Sequence, residues 1–595
     1  MNGGGDDTLV YRSSAQAAIF SRKLAREMYE TDLRPYGYVF GGSGGGYKTM
    51  SCAENTIGIW DGALPFVIGS PVSLPNVFTV RAHAMRLLRH KMEDIVDAIE
   101  PGGSGDPYAT LNEEEADALR EATSMGFPME TWTVWKTLGE GALPVLAPTV
   151  PMIDPTYFTD FWEKKGYLGA DPNGSAVRDR VHLVTEITEI LHPDVSLQSI
   201  ADTIDEGNSY GVDEAWKHLI GKGCRLPVFA LKNSPWRNAD DVYTSGLMLK
   251  FLDGALTGET ISANWLGNSL VTGIPDASGR DLAALLEKVK AGDHVELDNS
   301  NYIAIQTYHR HQVPDETFHA WDIFRNPDGT AIYPQRAMLL GPIFAKSGAG
   351  GIQEGTPQCK IIVLESHMDE SAFPWQADWY RERILDYCKE TGRDLDDTMR
   401  LYYLEHCMHT DCLEGNGGDH DHIVSYLGAR HQALLDLSDW VERGIAPAPT
   451  TGYTMDGGQV LLADTAAQRR GVQAVVRLHA AADGWSVGER IEVKAGEPVH
   501  FVAEVEIPAG GGLLEEVSWG FENDGIYLAS EQVGGHISPT SWLSDGTGRA
   551  TAEATHTFAT PGTCFAVAKI ATNRTPGDAF TKIRNQARMR VVVSE

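Results

Sequence analysis

Residues 36–50 read YGYVFGGSGGGYKTM, Tyr36 to Met50. A short apolar run, Tyr38-Val39-Phe40, meets six residues that are glycine or serine, and a helix-compatible stretch with Lys48 and Thr49 follows. Strand, glycine-rich turn and helix serve two chemistries. A phosphate-cradling loop needs G-x-x-x-x-G-K-[ST]. Counting from Gly41 puts Gly46 in place, but Tyr47 intervenes before Lys48, which turns the lysine by about 100° on the helix. A nucleophile elbow needs G-x-S-x-G between a strand and a helix, and Gly41-Gly42-Ser43-Gly44-Gly45 fits without adjustment. A flexible linker is the third reading, since the chain holds 62 glycines. The choice falls to residues elsewhere.

A serine nucleophile needs a base for its proton and a carboxylate to orient that base. In α/β-hydrolases the order is Ser, then Asp or Glu, then His, each just past a core strand. The pattern Gly62-Ala63-Leu64-Pro65-Phe66-Val67-Ile68-Gly69 reads as a buried parallel strand. Residues 360–364 and 399–404 read the same way, followed by ESHMDESAFP and EHCMHTDC. Ser43, Asp369 and His409 thus occur in the required order at strand ends. Glu365 and Glu370 rival the acid; His406, His420, His422 and His431 rival the base. His309 and His311 alternate as if on a strand and could ligate zinc, but no third ligand is evident. No metal or other cofactor is expected.

These segments resemble the tannase and feruloyl-esterase branch of the α/β-hydrolases. The matching stretches are GGSGGGYKTMSCAENTIGIWDGALPFVIGSP, the turn Ser366-His367-Met368-Asp369, Glu405-His406-Cys407-Met408-His409-Thr410, and Trp440-Val441-Glu442-Arg443-Gly444-Ile445-Ala446-Pro447. The resemblance covers roughly residues 10–72 and 358–448. It implies a serine esterase with Ser43 as nucleophile, His409 as base, Asp369 as its orienter and the Gly44 N–H as an oxyanion donor. That branch joins the cysteine before its serine to one after its histidine. Here those positions are Gly42 and Thr410, so that disulfide is not expected.

The expected fold is α/β: residues 1–72 and 356–450 form a hydrolase-like parallel sheet, and 73–355 a large, mostly helical lid. One helix is expected over 76–99 and another from Thr110. The aromatic content of the lid suits a bulky or aromatic ester. Residues 465–595 are expected to form an all-β, immunoglobulin-like sandwich. Val517–Gly525 and His556–Phe565 resemble the signatures of PKD modules, and Trp519 is the expected core tryptophan. Such modules imply an extracellular setting, and a spacer role is the simplest.

A formal net charge of -33 repels nucleic acid and anionic membranes. No run of about 18 apolar residues is present, so no spanning helix is expected. Seven cysteines without a C-x-x-C pair argue against zinc and against a disulfide framework. The start, MNGGGDDTLVYRSS, has neither a basic n-region nor an apolar h-region, so no signal peptide is expected in it. Only 42 residues precede Ser43, where a hydrolase usually places more strands and a second oxyanion donor. A longer secreted parent is one expectation. The other is completion of the sheet by a strand at Asn301–Gln306. The expected partner is a small-molecule or polymer-derived ester. Amide or peptide cleavage, or a noncatalytic extracellular binding protein with a decayed core, are the alternatives.

Overall fold

The computed structural model describes residues 10–192, 226–236, 242–267, 269–274, 280–412, 421–482, 488–523 and 525–595. Helix α1 (Val10–Met28) leads into strand β1 (Tyr38–Gly42), helix α2 (Gly44–Asn55) and strand β2 (Gly62–Phe66), the β-α-β unit anticipated around the glycine run. Strands β9 (Lys360–Ser366) and β10 (Met399–Leu404), numbered after the six of the insertion described next, complete a sheet ordered β1-β2-β9-β10. All its pairings are parallel, with Val39 opposite Ala63, Ala63 opposite Ile361, and Val363 opposite Leu401. Every residue of β2 and β10 is buried, and all of β9 but its first, as expected of strands covered on both faces. Helix Leu427–Arg443 packs on β2 and β9 and Trp375–Thr391 packs on β10. Gly444 and Gly392 close these helices in left-handed conformation (φ 71° and 68°).

β1 is one of the two edge strands of the described sheet, β10 being the other, and Phe40 on β1 is exposed. The α1 face bearing Phe20, Leu24 and Met28 is also exposed, so its apolar spacing does not mark core. Asn301–Gln306 supplies no strand: Ser300–Ile305 is a helical turn. Its β-branched, half-aliphatic pattern is buried among lid helices instead.

The insertion starts as expected, with helix α3 (Asn76–Leu88), then Met92–Ile99 and Glu113–Ser124. The single helix read over 76–99 is therefore two. Arg86 and Arg89 at the end of α3 both bind Asp179, at 2.6 and 3.2 Å, which fixes where the first one stops. Asn112 caps the third with a reciprocal bond to Glu115. The rest corrects the helical reading. Strands β3 (His182–Leu191), β4 (Val228–Leu231), β5 (Met248–Phe251), β6 (Thr260–Gly267), β7 (Leu270–Gly273) and β8 (His294–Asp298) close into a barrel in the order β3-β4-β7-β6-β5-β8. Its core holds Phe229, Leu249, Phe251, Trp265 and Leu297.

After a hairpin, β11 (Tyr453–Asp456) and β12 (Gln459–Leu462), the C-terminal region is a two-sheet sandwich. One sheet contains β13 (Val475–Ala481), the other β14 (Arg490–Lys494). β15 (Pro498–Ile507) belongs with the first, and β16 (Leu513–Gly520) and β17 (Leu528–Ala529) with the second. β18 (Ser541–Trp542) and β19 (Gly548–Thr557) finish the first; β20 (Gly562–Asn573) and β21 (Ile583–Ser594) finish the second. Trp519 is fully buried between the sheets, its Nε1 donating to Ser530 Oγ at 2.9 Å.

Candidate active site

Ser43 sits immediately past β1 and caps α2 with φ 56° and ψ −120°. A non-glycine residue there is strained, and such strain persists only where the surroundings impose it. They do so through backbone. The Ser43 N–H is held by Phe66 O and Val67 O, both at 3.2 Å, and Ser43 O accepts the first helical bond from Tyr47 N. The flanking glycines divide into two kinds. A Cβ on Gly41 would lie 2.7 Å from Gly45 O, and one on Gly42 would lie 2.3 Å from the Phe66 ring. A cysteine at Gly42 would therefore not fit. Gly44 and Gly45 face open space. The Gly44 N–H lies in the first turn of α2, where amides lack helical acceptors and the dipole is positive. That is suitable geometry for holding an oxyanion above the serine.

Asp369 and His409 are brought together. The imidazole Nδ1 lies 2.8 Å from Asp369 Oδ2 and 3.0 Å from Oδ1. Asp369 is fully buried, and Oδ1 also accepts the N–H groups of Ser371 and Ala372. Burial disfavours the imidazolium, but the Asp369 charge and hydrogen bond outweigh it and raise His409 to about 9. The histidine loop is tied to the rest of the site at three points. His409 N donates to Glu370 Oε2 at 3.2 Å, Met368 N donates to Cys407 O at 2.9 Å, and Tyr426 Oη donates to His409 O at 3.1 Å. Tyr426 also packs against Phe66, centroids 6.0 Å apart, the ring that fills the space beside Gly42. The elbow and the histidine loop thus share a wall. His409 Nε2 and Ser43 Oγ make no hydrogen bond among the described residues, a contact that commonly tightens only with substrate.

The rival residues have other places. Glu370 orients backbone, as above. Glu365 is fully buried, accepts from Ile68 N at 3.0 Å, and is driven strongly towards its neutral form by burial and by the Asp369 charge. His406 bonds Asn585 and Glu130; His422 pairs with Glu100 at 2.6 Å; His431 bonds Phe580 O at 3.0 Å. His420 lies outside the described residues. His309 and His311 are not on a strand but on the turn Tyr308–His311. His309 bonds Glu121 at 2.6 Å and Thr79 at 3.0 Å, while His311 stacks on Tyr167. Their alternation reflects a tight turn packed among aromatics.

Arg81 on α3 had no sequence signal. It is almost fully buried, donates to Glu370 O at 2.8 Å and to Gly139 O, and borders a cavity of about 290 Å³ lined also by Trp135, Leu138, Glu140, Tyr243 and Tyr302. The lid thereby reaches the residue next to Asp369.

The sequence matches no protein-family description and no curated protein. Among solved structures the chain is similar to feruloyl esterase B from Aspergillus oryzae, with 12% identity over 76% of this chain and 68% of that one, TM-score 0.25. It is also similar to an esterase from Aspergillus oryzae, 11% identity over 76% and 68%, TM-score 0.21. The third is the tannin acyl hydrolase from Aspergillus niger, 16% identity over 75% and 64%, TM-score 0.25. Likenesses this weak say nothing of individual residues or of chemistry, which rest on the geometry above.

Proposed function

We propose that this chain is a serine hydrolase that cleaves a carboxylic ester. Ser43 Oγ attacks the ester carbonyl as His409 Nε2 takes its proton. Asp369 holds the imidazole by Nδ1 and stabilises its charged form. The Gly44 N–H donates to the tetrahedral oxyanion. The proton passes from His409 to the departing alkoxide, leaving an acyl-serine, and water activated by the same histidine releases the acid. The observation that carries this reading is the Asp369–His409 couple at the carboxyl end of the sheet whose β1 presents Ser43 in a strained, positive-φ turn. The ester is of small-molecule or polymer origin, and the aromatic content of the lid suits one bearing a bulky or aromatic group.

A second reading, a binding protein built on an inactive core, is favoured by β1 standing at the sheet edge, where no described strand carries a second oxyanion donor. Labelling with a fluorophosphonate, which reacts with an activated serine, separates the two. Labelling of the wild type that disappears in Ser43→Ala and His409→Ala supports the hydrolase. A folded wild type that takes no label refutes it. An ester and amide panel then decides between ester and peptide bonds.

A further inference from the structure

The C-terminal sandwich, which its sequence marks as a spacer, reaches into the histidine loop. Residues 405–412 carry His409 but form no helix or strand. Two buried amides from the sandwich hold the start of this loop. Gln473, just ahead of β13, accepts from Glu405 N at 2.7 Å and donates to Glu405 O at 3.1 Å. Asn585, near the start of β21 and wholly buried, uses every hydrogen-bonding position it has. Its Oδ1 accepts from Gln586 N at 2.8 Å and faces His406 Nδ1 at 2.8 Å. Its Nδ2 donates to Ala474 O at 2.8 Å and to Glu405 Oε2 at 3.1 Å. A carboxamide with four engaged positions has one orientation, because a flip would set donor against donor.

His406 is what Asn585 grips, and it stands in a left-handed conformation, φ 55°. Its other nitrogen lies 3.2 Å from Glu130 of the lid, and its carbonyl accepts from Val424 N at 2.8 Å. The lid and the sandwich therefore close on one residue from opposite sides. The next residue, Cys407, receives the bond from the acid loop, and His409 follows on the same turn. Displacing His406 moves the backbone that aims His409 at Asp369.

We propose that Asn585 and His406 are positioning residues for His409, so that the sandwich is part of the reacting unit rather than an appendage. This rests on the assignment of His409 as the base. Positioning losses of about an ångström cost on the order of tenfold to a hundredfold in rate.

The test uses the full-length chain, wild type against Asn585→Ala, with two readouts. The first is ester turnover across pH. The second is the pH dependence of diethyl pyrocarbonate modification of His409, followed by peptide mass mapping, which reports the neutral imidazole whether or not the protein is an enzyme. Asn585→Ala is expected to lower kcat about tenfold or more with KM little changed, and to move the His409 midpoint below the wild-type value, because a looser loop weakens the Asp369 contact. A purely structural role would lower the melting temperature and leave the His409 midpoint in the folded fraction where it was, and that result overturns the proposal. Absent turnover with a shifted midpoint would refute the esterase and leave the positioning role standing. Should Asn585→Ala not fold, His406→Ala is compared with His406→Asn. Asparagine tolerates the left-handed backbone and retains a donor towards Asn585, so rescue of the midpoint by asparagine but not alanine supports the proposal. Two variants with unshifted midpoints refute it.

Discussion

Asp369→Asn is the sharpest perturbation of the site. The carboxylate is wholly buried and contacts the imidazole with both oxygens. His409 stands at about 9 against an ordinary 6.5, and at about 1.36 kcal/mol per pH unit the difference is about 3 kcal/mol in favour of the imidazolium. Burial works against that charge, so the asparagine variant should bring His409 to 6.5 or below. The carboxamide also offers an N–H to Nδ1, which favours the tautomer unable to accept the serine proton. The expected loss of rate is on the order of 10³–10⁴. The pH dependence follows from the same quantities. His409 must be neutral to act as base, so wild-type labelling by a fluorophosphonate should rise with pH through about 9. In Asp369→Asn the small residual rate should rise at much lower pH. The stability link has the opposite sense: a folded-state value above the unfolded one stabilises fully below about pH 6.5, and that contribution is lost as pH rises through about 9. An Asp369→Asn protein that labels at the wild-type rate, or with the same pH midpoint, would refute the assignment of the couple.

The elbow glycines should separate by position. Gly42→Ala forces a Cβ into the Phe66 ring and should cost about 1–3 kcal/mol in thermal unfolding, whereas Gly44→Ala, at an open helical position, should leave the melt unchanged. Glu121→Ala strips the carboxylate from Arg310, bound at 2.7 Å, and His309; leaving the buried Arg310 charge without that counter-ion should cost about 3–5 kcal/mol by denaturant titration. Burial opposes ionisation of Glu121, but Arg310 and His309 hold it well below 4.5. That support should persist at neutral pH and fade only as pH falls well below 4.5. Trp519→Ala empties the centre of the sandwich and should cost about 3–5 kcal/mol in calorimetry. If the sandwich props the histidine loop, the same variant should also slow labelling.

What could be read ahead of the structure was local. The glycine run around Ser43 announces its own backbone, because a strained turn selects small residues within a few positions. The apolar runs 360–364 and 399–404 announce buried parallel strands for the same reason, and Gly392 and Gly444 mark helix ends at single positions. The barrel was hidden although MLKF (248–251) and HVELD (294–298) alternate buried and exposed. Such short strands become recognisable through partners far along the chain, whereas the helical pattern of 76–124 is local. The apolar face of α1, with Phe20, Leu24 and Met28, is exposed, since periodicity fixes a face but not what covers it. Arg81, Glu130 and Asn585 left no trace at all: each reaches the site from a different part of the chain, and nothing in the neighbouring residues records the contact.

That difference in legibility follows from how the site is assembled. The strand ends alone put Ser43, Asp369 and His409 on the carboxyl side of the sheet, and each strand end could be recognised where it stood. A base must also be aimed, and no segment near His409 can do this, because residues 405–412 have no regular structure of their own. The aiming is divided among three bodies: the acid loop through Met368 and Glu370, the lid through Glu130 and Arg81, and the sandwich through Gln473 and Asn585. An interface residue such as Asn585 can therefore bear on the chemistry as directly as the neighbours of His409 in sequence. On the proposed mechanism the reacting unit is defined by these contacts rather than by a span of sequence.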